Sequence, residues 1–222
     1  MSHSALLFDL DGTLVDSVYQ HVGIWHFALL DAGIRIPAAE LHRHIGMTGT
    51  LALDAIFTAR SLEVPKEVRA SIEAAHKQKY AEIIHRIPPL PGAEDLWSTL
   101  QRAGIRWAIA TSAERAQADI LIKVLNLPPD AIVVTQEPGQ ASKPSPEPFE
   151  RAARELRMHV NECMIVGDSV WDILASRRAG AFGIGLLTGG YGREELVAAG
   201  AYRVYDDPGE LGRRLAELGL AR

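Results

Sequence analysis

The first strand of this chain is predicted within the stretch Ser4-Ala5-Leu6-Leu7-Phe8-Asp9-Leu10-Asp11-Gly12-Thr13-Leu14. Residues 5–8 are apolar, a pattern typical of a strand that is buried on both faces of a sheet. The strand leads into two carboxylates, and a buried carboxylate is costly unless a cation offsets its charge. Side chains two apart on a strand point to the same side, so Asp9 and Asp11 are expected to lie together. Gly12 permits a tight turn beside them, and oxygen ligands of this kind suit a hard cation such as Mg²⁺.

This short motif has two alternatives. An EF-hand calcium loop is excluded, because the sixth and twelfth places counted from Asp9 hold Leu14 and Gln20 rather than Gly and Glu. A solvated turn after a strand stays open if the motif is taken alone. We interpret the stretch as the centre of a phosphoryl-transfer site, with one carboxylate attacking and the other handling a proton.

Composition limits the remaining possibilities. The 222 residues suffice for one large domain or a core with an insertion, and the net charge of −5 gives no electrostatic case for nucleic acid or an anionic membrane. The single cysteine, Cys163, excludes an intrachain disulfide and is expected to be a buried core thiol. Residues 1–4 lack a basic region, and no apolar run approaches the roughly 20 residues of a membrane span. A cytoplasmic monomer or homodimer with no membrane partner is expected.

Residues 16–87 contain helical patterns and no convincing strand. The pair Asp16-Ser17 is expected to provide the N-cap of a first helix that ends at Gly33. A short helix follows at 38–42, and a third is capped by Thr48 or Thr50. That third helix is expected to have Leu51, Ala55, Ile56 and Ala59 on one face. A long helix runs from Pro65 to about residue 84.

After the proline-rich linker at 87–92, strands and helices alternate. The strands are predicted at 105–110, 131–135, 164–166, 182–187 and 202–205, and a closing helix at 208–218. Such alternation predicts a parallel sheet with both faces covered. The first strand precedes the helical residues, which are therefore an insertion. The prediction is an α/β fold, a Rossmann-like parallel sheet core at 1–15 and 88–222 with an inserted α-helical cap at 16–87.

Polar residues follow several predicted strands. Because ligands of open parallel sheets bind beyond the carboxyl ends of the strands, these residues are expected at one rim. Lys143 lies in a strand-to-helix loop on the same edge. The set consists of Asp9, Asp11, Thr13, Thr111, Ser112, Gly167, Asp168 and Ser169.

These residue types suit phosphoryl transfer. A divalent cation removes the repulsion between a carboxylate nucleophile and a phosphate, and Lys143 adds positive charge. Thr111 and nearby backbone N–H groups can bind a phosphate oxygen, while Asp11 protonates the leaving oxygen and then takes a proton from water. Asp168 supplies a further carboxylate for the metal. Asp172, four residues later, is expected either to bind a metal-bound water or to pair with Lys143.

Each of these residues also has an ordinary structural interpretation. Thr111 and Ser112 would serve as helix caps. Lys143 would be a solvated loop lysine. Asp172 would be an exposed carboxylate in the first turn of a helix.

Four motifs resemble those of the haloacid dehalogenase superfamily, in the same order and over nearly the whole chain. The first is Phe8-Asp9-Leu10-Asp11-Gly12-Thr13-Leu14-Val15-Asp16-Ser17, and the second contains Thr111. The third is Ser142-Lys143-Pro144-Ser145-Pro146-Glu147-Pro148-Phe149, and the fourth is Gly167-Asp168-Ser169-Val170-Trp171-Asp172.

The resemblance implies a HAD-like fold with a helical cap that closes over substrate. It implies that Asp9 is an aspartyl-phosphate nucleophile and Asp11 the acid/base. It further implies that Mg²⁺ is held by Asp9, the Asp11 carbonyl and Asp168. The family's dehalogenases lack the second aspartate, so Asp11 argues against that chemistry.

Three activities remain as hypotheses. We favour a phosphatase acting on a small phosphorylated metabolite, of the sugar-phosphate or phosphoglycolate type. The alternative is a β-phosphoglucomutase-like enzyme, but the stretch Ile45-Gly46-Met47-Thr48-Gly49 lacks that enzyme's lysine and arginine. A receiver-like signalling switch also uses paired carboxylates, Mg²⁺, Thr and Lys, and the insertion argues against it.

Further substrate contacts are expected from both parts of the chain. At the sheet edge they are Gly12, Thr13 and Ser112. In the cap, His21 is expected near Asp11, either as a hinge residue or as a solvated or core histidine. Arg43 and His44 would reach the substrate from the cap, or would form a basic surface cluster.

Overall fold

Six parallel strands form one sheet within residues 5–220, the part of the chain that this computed structural model describes. The strands are β1 (Ala5–Phe8), β2 (Arg106–Ala110), β3 (Val133–Val134), β4 (Cys163–Gly167), β5 (Phe182–Leu186) and β6 (Arg203–Tyr205). Their order across the sheet is β3-β2-β1-β4-β5-β6. This arrangement confirms the predicted α/β fold. The expectation for residues 1–4 lies outside the described residues.

Ten α-helices accompany the sheet in the described residues. They are α1 (Val18–Asp31), α2 (Ala38–His42), α3 (Gly49–Ala59), α4 (Lys66–Ile83), α5 (Ala93–Arg102), α6 (Arg115–Val124), α7 (Glu147–Glu155), α8 (Val170–Arg178), α9 (Arg193–Ala199) and α10 (Pro208–Arg213). None of the helices between residues 5 and 220 has the length and apolarity needed to span a bilayer.

Strand β1 lies at the centre of the sheet and is buried completely. It pairs with β2 on one side and β4 on the other, and its four residues are all 0% exposed. Leu6 and Phe8 pack on one face in a cluster with Trp97 of α5, while Leu7 packs on the other face with Phe149 of α7. Burying each large apolar side chain stabilises the fold by about 1.5–3 kcal/mol. The apolar stretch is therefore a strand with helices on both faces, as its pattern predicts.

Helices α1 to α4 form a continuous helical segment between β1 and α5. They have a hydrophobic cluster of their own, in which Val22 and Trp25 of α1 pack with Phe57 of α3 and Ile72 of α4. This separate cluster supports our proposal that residues 16–87 form a cap on a core of residues 1–15 and 88–222.

Some local predictions were wrong. Of the four residues predicted on one face of α3, Ile56 is buried but Leu51 is 38% exposed. The helix buries Leu53 and Phe57 beside Ile56, because two overlapping sets of apolar residues fit one helical period. Ser17 stands at the N-cap position of α1, as predicted, but its hydroxyl makes no capping hydrogen bond and donates to Asp11 instead. The closing helix ends at Arg213 and is followed by a separate 3₁₀ turn.

Replacing Leu7 with alanine is expected to destabilise the protein by about 2–5 kcal/mol, because the central strand cannot collapse to fill the resulting cavity. The matched control is Leu51→Ala, whose side chain is 38% exposed. Urea unfolding followed by circular dichroism measures both variants. Equal unfolding midpoints for the two variants would contradict the central position of β1.

Candidate active site

The carboxyl ends of neighbouring strands bring the predicted polar residues to one edge of the sheet. Asp9 follows β1, Thr111 follows β2 and Asp168 follows β4, while Lys143 comes from the loop between β3 and α7. This convergence results from strand pairing, since β1 lies between β2 and β4. The rim that the sequence predicts is therefore present as one cluster.

Three buried carboxylates lie within this cluster. One oxygen each from Asp9, Asp168 and Asp172 lies within 4.8 Å of the others. Asp172 is 0% exposed, so the interpretation of this residue as an exposed first-turn carboxylate was wrong. Its Oδ2 accepts hydrogen bonds from the Ser169 hydroxyl at 2.6 Å and the Ser169 N–H at 3.2 Å, which fixes the start of α8.

Lys143 is the cation at the centre of the carboxylates. Its Nζ contacts Asp9 and lies 2.8 Å from Asp172 Oδ1, and the side chain is only 1% exposed. Burial disfavours the charged amine, but Asp172 and Asp9 outweigh that cost and raise the pKa of Lys143 above its ordinary value. The alternative of a solvated loop lysine was therefore wrong.

The cluster holds more negative charge than Lys143 can balance. Three ionised carboxylates and one ammonium leave a net charge of −2. Burial, together with the neighbouring Asp172, raises the pKa of Asp9 to about 7 despite Lys143, and likewise raises the pKa of Asp168 well above its usual range. A divalent cation would offset this charge, and carboxylate oxygens are ligands that Mg²⁺ accepts. The donor set therefore fits such an ion.

Close packing fixes the position of Asp168. Thr13 Oγ1 donates a hydrogen bond of 2.7 Å to Asp168 Oδ1. Gly12 has a φ of +79°, and a Cβ at this position would lie 2.5 Å from Asp168 Oδ2. A Cβ at Gly189 would clash with the same carboxylate. Thr13 thus holds the Asp168 carboxylate by a hydrogen bond, and Gly12 leaves the space that this carboxylate occupies. Both roles are separate from the substrate contacts that the sequence predicts for these residues.

Asp11 stands apart from the other carboxylates and has partners of its own. Its Oδ1 accepts hydrogen bonds from Ser17 Oγ at 2.6 Å and Tyr80 OH at 3.2 Å, and lies 3.5 Å from His21 Nε2. Burial would raise the pKa of Asp11, but His21, Ser17 and Tyr80 outweigh it and lower that pKa. The site therefore holds Asp11 as a carboxylate that can accept a proton.

A stack of aromatic rings extends from Asp11 into the helical segment. His21 Nδ1 lies 3.1 Å from His76 Nε2, and the His76 ring stacks on Trp25 with 3.9 Å between ring centroids. The sequence did not indicate His76 or the Tyr80 hydroxyl as site residues. Their spacing of four along α4 was the available signal, because it places both on one face of the helix.

The hydroxyls of Thr111 and Ser112, which follow β2, both make hydrogen bonds to the protein backbone. Thr111 Oγ1 accepts a hydrogen bond of 3.0 Å from the Ala113 N–H in the turn before α6. The N-cap of α6 is Glu114, so the interpretation of Thr111 and Ser112 as helix caps was wrong. Ser112 Oγ donates to the Gly46 carbonyl at 3.5 Å, which joins the sheet edge to the helical segment. A phosphate contact from Thr111 remains a proposal.

Arg43 and His44 lie away from the reacting edge. Arg43 pairs with Glu195 at 2.5 Å on the surface, and His44 Nδ1 lies 2.9 Å from the Glu40 carbonyl. The Arg43 backbone is held by the Trp171 indole, which donates to its carbonyl at 2.9 Å. Neither residue is among those that line the cleft described below, and this placement favours the alternative of a surface cluster. A substrate contact from Arg43 or His44 stays an untested prediction.

A cleft of about 1120 Å³ opens between the helical segment and the sheet edge. Asp9, Asp11 and Lys143 lie at its floor, so the reacting groups are accessible from one cavity. The helical segment contributes His21, Trp25, Met47, Thr48, Thr50, Glu73, His76, Lys77 and Tyr80. The first turn of α6 contributes Arg115 and Gln117, and the loops contribute Ser112, Glu114, Gln136, Glu137 and Gln140.

The chain is similar to known hydrolases over most of its length. Residues 3–180 match the family model described as haloacid dehalogenase-like hydrolase. Hexitol phosphatase A of Escherichia coli is 31% identical over 180 residues, which cover 81% of this chain and 81% of that protein. A phosphoglycolate phosphatase of Rhodospirillum rubrum is 29% identical over 217 residues, with coverages of 94% and 89%. The crystal structure of a hydrolase from Pseudomonas syringae has a TM-score of 0.91 at 40% identity, covering 96% of this chain and 98% of that chain.

The protein is expected to lose stability as the pH is lowered through 6.5, because His76 is buried in its neutral form. Burial lowers the pKa of His76 to about 3, whereas an unfolded histidine has a pKa of about 6.5. Between these values the unfolded chain binds a proton that the folded chain does not. His76 should therefore cost the protein about 2 kcal/mol of stability between pH 7.5 and pH 5.

Urea unfolding at the two pH values measures this effect in the wild type and in His76→Gln. The variant should lose less stability on acidification than the wild type does. The exposed His159→Gln is the matched control and should behave as the wild type. An identical pH dependence in His76→Gln and the wild type would show that His76 is not held neutral.

Proposed function

Because the chain belongs to the haloacid dehalogenase-like hydrolases, we propose that it is a Mg²⁺-dependent phosphatase acting on a small phosphorylated metabolite through an aspartyl phosphate on Asp9. The observation that carries this proposal is the buried contact of Lys143 with Asp9 at the mouth of the central strand. Two relatives named as phosphatases support the reaction type. Membership of a hydrolase family argues against the receiver-like switch.

The first step forms a bond between an Asp9 oxygen and phosphorus. The bond from phosphorus to the ester oxygen breaks, and Asp11 gives a proton to that leaving oxygen. Lys143 orients Asp9 and offsets charge at the phosphoryl group. Mg²⁺ bound by Asp9, the Asp11 carbonyl and Asp168 would offset the charge of the phosphate and orient it for in-line attack.

The second step releases phosphate. Asp11 takes a proton from a water molecule as that water attacks phosphorus, and the bond to Asp9 breaks to regenerate the free carboxylate. The hydrogen bonds from Ser17 and Tyr80 favour the ionised form of Asp11, which suits this base role. The proton that Asp11 takes from water is the one that it gives to the leaving oxygen of the next substrate, so the two steps balance.

The helical segment serves in this proposal as the cap. Tyr80 and His21 extend from it to Asp11, so closure of the cap would place the proton-transfer group and exclude water together. We further propose a cytoplasmic setting for a monomer or homodimer. The buried Cys163, whose pKa burial raises to about 11, is in keeping with a thiol that takes no part in the chemistry.

A phosphosugar mutase is the second candidate function. The resemblance to mutases requires a lysine and an arginine in the stretch that here reads Ile45-Gly46-Met47-Thr48-Gly49. This stretch lines the cleft and offers no cation. A phosphatase is therefore favoured, since the stretch lacks the lysine and arginine that the resemblance to mutases requires for a second phosphate group.

Asp9→Asn is expected to lower the turnover of p-nitrophenyl phosphate roughly 10³-fold or more, because an amide cannot attack phosphorus. Asp11→Asn should lower it roughly 10²–10⁴-fold through loss of proton transfer. The matched control is the exposed Asp130→Asn, and circular dichroism checks that each variant is folded. Wild-type turnover in folded Asp9→Asn would remove Asp9 as the nucleophile.

Incubation with β-glucose 1-phosphate and a bisphosphate primer distinguishes the two candidate functions. A phosphatase should release inorganic phosphate in step with substrate loss, because water is the final acceptor. Ion chromatography of the products measures both outcomes. Accumulation of glucose 6-phosphate with little free phosphate would show that the mutase is the correct assignment.

A further inference from the structure

The wall of the cleft above the reacting groups is slightly acidic. Lys77 and Arg115 are the lysine and arginine that line it, and they face three carboxylates, Glu73, Glu114 and Glu137. The net charge of this wall is therefore −1. Any leaving group of the substrate must occupy this part of the cleft, because the phosphate itself lies at Asp9.

Neither cation of the wall is free. Lys77 Nζ lies 2.5 Å from Glu114 Oε2, and Arg115 Nε lies 2.9 Å from Asp119 Oδ1. Arg43, a further candidate from the helical segment, is engaged with Glu195 outside the cleft. A carboxylate on the leaving group would thus meet no unpaired lysine or arginine among the described residues that line the cleft.

Several hydrogen-bonding side chains of the wall are free instead. Over the described span 5–220, the side chains of Glu73, Glu137, Thr50 and Gln117 make no hydrogen bond or ion pair within the protein. Carboxylates accept strong hydrogen bonds from hydroxyls, and the threonine hydroxyl and glutamine amide can both donate and accept. This combination recognises hydroxyl groups rather than a negative charge.

We propose that the leaving group is a neutral polyol, a sugar or a sugar alcohol, and that substrates with a carboxylate next to the phosphate ester are disfavoured. The proposal rests on the proposed phosphatase function and specifies its substrate class. Hydroxyls of the polyol donate to Glu73 and Glu137, whereas a carboxylate in the same place is repelled by them. The volume of about 1120 Å³ also leaves room for a six-carbon chain.

Matched pairs of substrates test this proposal. Glucitol 6-phosphate and 6-phosphogluconate differ only in a terminal carbinol or carboxylate, as do 2-hydroxyethyl phosphate and 2-phosphoglycolate. We expect kcat/KM to be at least tenfold higher for the neutral member of each pair. A carboxylate member that equals or exceeds its neutral partner would overturn the proposal.

Two further substrates distinguish a wrong substrate class from a wrong assignment of phosphatase activity. 2-Aminoethyl phosphate tests a cationic leaving group, and a higher kcat/KM than that of 2-hydroxyethyl phosphate would also overturn the proposal. p-Nitrophenyl phosphate reports phosphatase activity itself. Absence of phosphate release from every compound, including this one, would refute the phosphatase function, whereas its hydrolysis with the wrong preference refutes only the substrate class.

A charge reversal in the cleft provides a second test. Glu73→Lys should lower the preference for glucitol 6-phosphate over 6-phosphogluconate at least fivefold, because it places an unpaired cation on the wall. The matched control is Glu82→Lys on the exposed side of the same helix, which should leave the preference within twofold of wild type. An unchanged preference in Glu73→Lys with wild-type thermal stability would contradict the proposal.

Discussion

The burial of three carboxylates around one lysine is the constraint on which the rest of this structure depends. Asp9, Asp168 and Asp172 converge within 4.8 Å in a place that water hardly reaches, and Lys143 offsets only part of their charge. A cluster of this kind is unfavourable unless a further cation completes it. The uncompensated negative charge lowers the stability of the fold, and the same charge would attract a divalent ion that can then bind a phosphate. The residues that lower stability are therefore the ones that the proposed function needs.

The fold provides this cluster through the position of its first strand. Because β1 is central and is buried on both faces, Asp9 emerges at the middle of the sheet edge, between the ends of β2 and β4. Parallel pairing then brings Asp168 beside it, where Gly12, Thr13 and Gly189 leave room for its carboxylate and fix its position. The helical segment is inserted after the motif that begins at Asp9, so Asp11 lies where the sheet core and this segment meet, within reach of Tyr80.

The features that could be predicted from the sequence are those that follow from local residue patterns and from the parallel arrangement of the strands. The apolar run before Asp9 and the polar residues after each strand were enough to foresee the convergence of Asp9, Asp168 and Lys143. The contact of Tyr80 with Asp11 was not predicted, because the spacing of His76 and Tyr80 places both on one face of α4 but does not indicate which group that face packs against. The orientation of Arg43 was missed for a similar reason: its carbonyl is fixed by Trp171, which lies 128 residues away in the chain.

The central claim is that the carboxylate cluster binds one divalent cation. Isothermal titration of Mg²⁺ into protein freed of metal by EDTA tests it without reference to turnover. We expect a single saturable site that is lost or weakened at least tenfold in Asp168→Asn and is unchanged in Asp119→Asn, whose side chain lies outside the cluster. Equal Mg²⁺ affinity in Asp168→Asn and the wild type, or no saturable binding by the wild type, would contradict the account.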